Sequence, residues 1–147
     1  MNSQFKLSLL RCDSSDPLAD FFDARATVHC RGVAAETSFT VAGRDLAAFV
    51  SDASRIQAGS GTTALLLCGW EAERSLRLVI GPARLSDTFE TRVCMVNQEQ
   101  PIELQSKIES EFNAPSDAVS AFLREIQHLV DRRELGDATL TGDADAA

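Results

Sequence analysis

The chain has 147 residues, 44% of them hydrophobic and 24% charged, a composition that suits one globular domain with a sizeable core. Its 22 acidic and 14 basic residues leave a net charge of −8. This charge argues against nucleic-acid binding, because neutralising phosphates requires a basic surface. An acidic surface either keeps a protein soluble or attracts a basic partner over long range.

The start of the sequence and its cysteines indicate the cellular compartment. Residues 1–6 contain no basic stretch that leads into an apolar segment, so we expect no signal peptide. The longest nearly apolar run, residues 64–69, is too short to cross a bilayer, so we expect no membrane partner. No CxxC or Cys/His spacing occurs among Cys12, Cys30, Cys68 and Cys94, which argues against structural zinc. These features predict a cytoplasmic protein without a metal or cofactor.

The first half of the chain predicts three strands followed by a helix. Residues 4–10, 24–31 and 34–41 place apolar side chains at every second position. Gly32 marks a turn between the last two segments, which we expect to pair antiparallel. A helix then begins near Asp45, whose charge suits the first turn. The apolar stripe of this helix comprises Leu46, Phe49, Val50, Ala53 and Ile56.

The second half of the chain predicts four more strands and a second helix. Residues 62–68 are almost continuously apolar, which is typical of a central strand covered on both faces. Residues 75–80, 87–96 and 102–112 alternate at strand period. The second helix begins near Ser116, where the preceding residues supply capping groups. Its apolar stripe comprises Val119, Phe122, Leu123, Ile126, Leu129 and Val130.

Together these elements predict an α+β fold, namely a curved, mainly antiparallel sheet of about seven strands with two amphipathic helices packed on it. Each helix stripe is too apolar to remain in water, and the alternating strands offer the only large apolar partner. We place this single domain at residues 1–133. Residues 134–147 are acidic with almost no apolar side chains, so we predict that they form a disordered acidic tail.

Side chains typical of catalysis are scarce in the sequence. His29 alternates out of phase with the apolar face of its strand, and His128 lies opposite the apolar stripe of the second helix. Both histidines are therefore predicted to be solvated and in different neighbourhoods, which does not suit a general base in an enclosed site. No nucleophile elbow and no cysteine beside a base occurs. We therefore expect no enzymatic activity.

Six side chains are candidates for contact with a protein partner: Trp70, Glu71, Glu73, Glu103, Glu109 and Glu111. The last three glutamates share one face of a predicted strand, where they form either a recognition patch or a simply solvated sheet face. The tryptophan lies in a predicted loop beside the first two glutamates. Tryptophan is common at the centre of protein interfaces, but this one fits equally well as a cover over the end of the sheet.

The order of the elements resembles that of the WapI-type immunity proteins and their uncharacterised relatives, a group of small bacterial proteins. The similarity covers about residues 5–131 and rests on hydrophobic spacing and on the helix that begins Arg44-Asp45-Leu46 and reaches Phe49. Proteins of that group are thought to bind and neutralise a cognate polymorphic toxin, frequently a nuclease, in the producing cell. Their toxin-facing residues form no shared motif that could be carried over to this chain.

The resemblance implies a cytoplasmic immunity protein that blocks a basic toxin domain by occlusion. In this hypothesis the carboxylates of Glu103, Glu109 and Glu111 mimic phosphate charge, and Trp70 anchors the interface. Nucleic acid and membrane are not expected as partners. The sequence leaves the identity of the partner and the oligomeric state open.

Two other functions also fit the sequence. An acidic secretion chaperone or adaptor has a similar size and charge, although the type III secretion class usually opens with a helix and this chain opens with a strand. A small-ligand-binding domain or an enzyme would need a concave, partly apolar pocket with converging polar groups. A protein that holds its client partly unfolded would protect that client differently from an immunity protein, so protease protection separates the first two functions.

Overall fold

The computed structural model describes residues 2–12, 20–70, 73–83, 88–96 and 107–143, and all strands in this part of the chain belong to one sheet. The strands are β1 (Asn2–Cys12), β2 (Phe21–Cys30), β3 (Val33–Ala42), β4 (Ala64–Trp70), β5 (Glu73–Ala83), β6 (Thr88–Val96), β7 (Lys107–Pro115) and β8 (Gly136–Asp143). Helix α1 (Gly43–Gln57) lies between β3 and β4, and helix α2 (Ser116–Arg132) lies between β7 and β8. The predicted α+β fold is confirmed.

The sheet has the strand order β3-β2-β1-β8-β7-β6-β5-β4, and every neighbouring pair is antiparallel. The first and last strands therefore lie side by side at the centre, where Phe5 pairs with Leu140. The turn between β2 and β3 consists of Arg31 and Gly32, which both have positive φ, 53° and 76°. A two-residue hairpin turn needs this backbone conformation, and glycine adopts it without strain.

One face of the sheet and both helices enclose a single core. Apart from Gly43, the buried residues of the helices all belong to the two predicted apolar stripes: Leu46, Phe49, Ala53 and Ile56 in α1 and Val119, Phe122, Leu123, Ile126 and Leu129 in α2. The other two predicted members, Val50 and Val130, are half-buried. The ring of Phe122 meets that of Phe5 edge-on at 6.0 Å between centroids, an arrangement that aromatic pairs prefer. Helix α2 packs mainly on β8, α1 packs mainly on β4, and the helices contact each other. Both helices thus cover the inner face of the sheet.

Helix α1 takes its N-terminal cap from a residue far away in sequence. Its own N-cap residue, Ala42, has no side-chain capping bond. Instead the amide of Arg44 donates to Oδ2 of Asp20 at 2.7 Å, and the amide of Gly43 donates to the carbonyl oxygen of Asp20 at 2.7 Å. The guanidinium of Arg44 also lies 5.9 Å from the ring centroid of Phe21. These contacts hold the start of β2 against the start of α1.

The predicted disorder of residues 134–147 is wrong for residues 136–143, which form β8 between β1 and β7. Ala138 and Leu140 are fully buried, and β8 pairs with β1 over its whole length, from Gly136 to Asp143. Backbone hydrogen bonds thus hold β8 along its whole length, and a count of apolar side chains does not detect them. The sheet has eight strands for this reason. Residues 144–147 lie outside the described part of the chain.

The predicted central position of residues 62–68 is also wrong, because β4 is an end strand whose only hydrogen-bonded neighbour among the described strands is β5. Ala64, Leu66 and Cys68 are buried on the inner face, where α1 packs. Leu65 points to the outer face and is 43% exposed. A continuous apolar run normally indicates cover on both faces, and here one face is open.

The sheet curves so strongly that its two halves meet at one end. The hydroxyl of Thr37 in β3 donates to the carbonyl oxygen of Val96 in β6 at 3.1 Å, and the thiol of Cys30 in β2 lies 3.7 Å from the carbonyl oxygen of Glu111 in β7. Strand β3 contacts β4, β5 and β6 in turn, so it crosses these strands and does not run alongside β4. The predicted curvature is confirmed.

The two halves of the sheet are joined at β7 and β8 through one described residue pair, Asn113 with Asp143. Gly142 permits this contact, because a Cβ atom at this position would overlap the carbonyl oxygen of Asn113 and the ring of Phe112. The same Cβ would lie 2.9 Å from the carbonyl carbon of Asn113. The two backbones therefore approach more closely than any side chain at residue 142 would allow.

Candidate functional site

The outer surface of β4, β5, β6 and β7 carries two rows of side chains on the side opposite to the helices. The pairing register places Leu65, Val79, Arg92 and Glu111 in one row and Leu67, Arg77, Cys94 and Glu109 in the next. Lys107 stands at the end of β7 on the same side. We call these nine residues the outer β-face.

The β4 end of the outer β-face is apolar. Leu65 is 43% exposed, and its neighbours Leu67 and Val79 are half-buried. A single exposed leucine is normal on a protein surface, but three adjacent apolar side chains on an open sheet face form a hydrophobic strip. We call these three residues the apolar strip. Arg77 lies beside Leu67 on β5, and Arg92 lies beside Val79 on β6, so charges border the strip. An apolar centre with a polar rim is typical of a protein interface.

Arg92 is the centre of an ion-pair network on β6. Its Nη2 and Nε lie 2.6 Å and 2.8 Å from Oε1 of Glu90, and its Nε lies 3.9 Å from Oε1 of Glu111. The hydrogen bond and the charge of Glu90, followed by the charge of Glu111, raise the pKa of Arg92 above its ordinary value. Since the Arg92 side chain is 61% exposed, solvent screens these pairs, and they orient the guanidinium more than they stabilise the fold.

Lys107 and Glu109 form a second ion pair, on β7, with 3.1 Å between Nζ and Oε1. The hydrogen bond and the charge of Glu109 raise the pKa of Lys107, and the charge of Cys94 adds to this effect, whereas Arg77 lowers it. Both cations therefore remain charged throughout the neutral pH range. The outer β-face is a mixed network of cations and anions, so its glutamates reach a partner only in competition with their own cations.

The predicted acidic patch is partly visible. Glu109 and Glu111 share the outer side of β7, with side chains 70% and 55% exposed, so their predicted common and solvated face is confirmed. Glu103 lies outside the described part of the chain. Two of the three glutamates are thus brought together. Glu109 lies beside Lys107, which strand alternation places on the same face, and Glu111 lies beside Arg92 of the neighbouring strand, which the sequence pattern did not assign to this face.

The structure places the predicted tryptophan loop differently. Trp70 is the last residue of β4, and its backbone is paired with that of Glu73 in β5, so both residues belong to strands. Strands β5 and β6 separate Trp70 from the glutamates of β7. Glu71 and the side chains of Trp70 and Glu73 lie outside the described part of the structure.

The histidines and cysteines do not form a shared site. His29 is exposed on β2, and His128 is exposed on α2 with its Nε2 3.2 Å from Oε2 of Glu134, so the predicted solvation of both is confirmed. None of the four cysteines forms a disulfide bond, and Cys30 and Cys68 are buried in the core. Among the described residues, no group of three or more His, Cys, Asp or Glu is arranged to hold a metal ion.

Sequence reasoning missed Arg77, Arg92 and the apolar strip as parts of this surface. A signal for the cations was present, because Arg77 and Arg92 occupy the positions that alternate with buried residues such as Leu78 and Val93. The strip was missed because the sequence predicts that β4 is covered on both faces. Leu65 was therefore not expected to be exposed.

Neither helix in the described part of the chain combines the length and the apolar character that a membrane span requires. Comparison of the chain with protein-family models, with curated proteins and with solved structures found no match. The functional argument therefore rests on the geometry of the outer β-face and on the charge of the chain.

Proposed function

We propose that this chain is a non-enzymatic binding protein that contacts a protein partner through the outer β-face. The observation that carries the proposal is the exposed apolar strip beside an ordered set of charges, on the side of the sheet that the helices leave open. In its most specific form, the protein is a cytoplasmic immunity protein that neutralises a cognate polymorphic toxin by occlusion. The resemblance to WapI-type immunity proteins supports this form.

The apolar strip supplies affinity in this proposal. Leu65, Leu67 and Val79 retain accessible surface, and burying an aliphatic side chain completely contributes roughly 1.5–3 kcal/mol. Arg92 and Lys107 are already held by Glu90 and Glu109, so they lose less conformational freedom when a partner binds. Their fixed positions set the orientation of the partner.

The charge of the whole chain selects the kind of partner. A net charge of −8 attracts a basic domain and accelerates its association. At contact, basic side chains of the partner compete with Arg92 and Lys107 for Glu111 and Glu109. An active site that normally binds phosphate would accept these carboxylates, and the bulk of the sheet would then occlude it.

The experiment begins with a neighbouring gene for a large secreted protein with a variable C-terminal domain, which the immunity proposal expects. That domain is purified and titrated with the purified chain while the remaining toxin activity is measured. Occlusion predicts a linear loss of activity with an end point at a fixed stoichiometry, because each bound chain blocks one toxin. Complete loss at far lower amounts of chain would indicate enzymatic inactivation and would contradict the proposal.

Two variants with the same chemical change test the location of the contact. Val79→Glu places a charge in the apolar strip, and Ala34→Glu places one at an exposed position of β3 in the other half of the sheet. We expect Val79→Glu to raise the half-inhibitory concentration at least about tenfold and Ala34→Glu to change it less than about threefold. Equal effects of the two variants would show that the outer β-face is not the contact.

A further inference from the structure

Arg77 is the one cation of the outer β-face that has no anionic partner among the described residues. Arg92 pairs with Glu90 at 2.6 Å between nitrogen and oxygen, and Lys107 pairs with Glu109 at 3.1 Å. Arg77 is exposed, and within the described part of the chain its guanidinium forms neither an ion pair nor a hydrogen bond. The charge of Arg77 instead lowers the pKa of Lys107, so the surroundings of Arg77 are partly repulsive.

Arg77 stands directly beside the apolar strip. On β5 it is paired with Leu67 of β4, and Val79 follows two residues later on the same side of the strand. Side chains directly opposite each other on neighbouring strands have their Cβ atoms about 5 Å apart. A partner that covers Leu67 and Val79 therefore also removes water from the guanidinium of Arg77.

A guanidinium that loses its water needs an anion. Taking an isolated charge out of water costs more free energy than the burial of one aliphatic side chain provides. Arg92 carries the carboxylate of Glu90 with it into an interface, whereas Arg77 has no such companion among the described residues. The partner must therefore supply the anion, because otherwise the cost at Arg77 cancels the gain at the apolar strip.

We propose that the partner presents the carboxylate of an aspartate or glutamate to Arg77, and that this pair determines which proteins the outer β-face accepts. This pairing rests on the proposed function, in which the partner covers the apolar strip. A guanidinium donates two parallel hydrogen bonds to one carboxylate, so the pair fixes the orientation of the partner as well as its charge. A protein with an apolar or basic side chain at this position would leave Arg77 buried without a counter-charge and would be rejected.

The row of side chains that contains Arg77 indicates where the charges of the partner lie. From β4 to β7 this row reads Leu67, Arg77, Cys94 and Glu109. Two strand spacings, about 10 Å, separate Arg77 from Glu109. The contact surface of the partner should carry an acidic and a basic side chain at this spacing, with the acidic one next to an apolar contact. The net charge of −8 still favours a partner that is basic as a whole, because long-range attraction depends on total charge.

Arg77→Met tests the pair in titration calorimetry with the purified toxin domain that the proposed function expects. Methionine removes the charge and keeps an unbranched side chain. Because the carboxylate of the partner would then be buried without a cation, we expect the dissociation constant to rise at least about thirtyfold. The control is Arg25→Met, the same change at an exposed position of β2 in the other half of the sheet, which should alter the constant less than about threefold. An unchanged or lower dissociation constant for Arg77→Met would overturn the proposal, since removal of a cation without a counter-charge favours binding.

A double-mutant cycle identifies the carboxylate on the partner. Each aspartate of the toxin domain is changed to asparagine and each glutamate to glutamine, one at a time. We expect one of these changes to raise the dissociation constant for the wild-type chain at least about tenfold and that for Arg77→Met less than about twofold. If every acidic residue of the domain affects the two chains equally, the proposal is overturned.

Urea denaturation of the free chain checks that Arg77→Met folds, and we expect an unchanged midpoint because Arg77 is exposed. If this variant does not fold, the neutral variant Arg77→Gln replaces it in both measurements, with the same expected and the same contrary results. If Val79→Glu weakens binding and Arg77→Met does not, the outer β-face is the contact and only the pairing of Arg77 with a carboxylate is wrong. If neither variant weakens binding, the proposed contact surface is wrong as well.

Discussion

At the scale of single residues, two positions on α2 that lie two residues apart differ in their role. Ile126 is 1% exposed and packs in the core, whereas the side chain of His128 is 52% exposed beside Glu134. Ile126→Asp removes an apolar contact and buries a carboxylate, so we expect a loss of more than about 4 kcal/mol in the free energy of unfolding. His128→Ala should change that free energy by less than about 0.5 kcal/mol.

Urea denaturation followed by circular dichroism measures both changes. A similar loss of stability in the two variants would show that the side of α2 assigned to the core is wrong. The argument that His128 is solvated, and therefore not catalytic, would then also be wrong.

The distant cap of α1 is a second residue-scale feature that can be measured. Asp20→Ala removes the acceptor for the amide of Arg44, so we expect the chain to lose about 1 kcal/mol of stability. Asp20→Asn keeps a side-chain oxygen at the same place and should retain most of the stability. Chemical denaturation of the two variants gives the comparison, and an equally large loss in both would argue against capping by the Asp20 side chain.

At the scale of elements, the join between β7 and β8 depends on the absence of a side chain. Gly142→Ala would force a Cβ atom against the backbone of Asn113, at the one described pair that links these strands. We expect a loss of about 2–4 kcal/mol, since the obstacle is backbone that cannot move aside easily. Thr141→Ala, at the exposed neighbouring position, is the control and should cost less than about 1 kcal/mol. Thermal unfolding that affects both variants equally would contradict this explanation of Gly142.

Much of the fold could be predicted because burial follows the periodicity of the side chains. The alternation in β5 and the stripe of α2 identify Leu76, Leu78, Phe122 and Ile126 as core residues, and all of them are buried. The strand β8 could not be predicted in this way, since backbone pairing with β1 fixes it and few apolar side chains mark it. The position of β4 could not be predicted either, because an apolar run indicates cover on the faces of a strand and does not tell whether the strand has one or two hydrogen-bonded neighbours.

The candidate site was predictable only in part. The outward orientation of Glu109 and Glu111 follows from strand alternation alone. The proximity of Glu109 to Lys107 follows from the same alternation, because both residues lie on β7. The proximity of Glu111 to Arg92 depends on the register between β6 and β7, and side-chain periodicity does not tell which residue of one strand lies opposite which residue of the other. The apolar strip depends on which strand ends the sheet, and this is a property of the topology.

At the scale of the whole molecule, the net charge and the outer β-face have different roles. The outer β-face carries three cations, Arg77, Arg92 and Lys107. Glu109 and Glu111, together with Glu90, which binds Arg92 from the same side of β6, balance them, so the charge of −8 arises elsewhere on the chain. Long-range attraction of a basic partner should therefore act on the association rate. We expect an increase from about 50 mM to about 500 mM salt to slow association at least about tenfold and to change dissociation less than about threefold. Stopped-flow measurements give both rates, and an association rate independent of salt would remove the electrostatic part of the proposal.

The central claim, that the outer β-face is the contact surface, is tested most directly by two charge reversals compared in one binding assay. Glu109→Lys and Glu36→Lys change the net charge by the same amount at exposed strand positions in opposite halves of the sheet. Long-range attraction is thus weakened to a similar degree in both, and a difference in the dissociation rate reports local contact. We predict that Glu109→Lys accelerates dissociation of the purified toxin domain at least about tenfold, while Glu36→Lys leaves it within about twofold of the unmodified chain. Equal dissociation rates for the two variants would contradict the account.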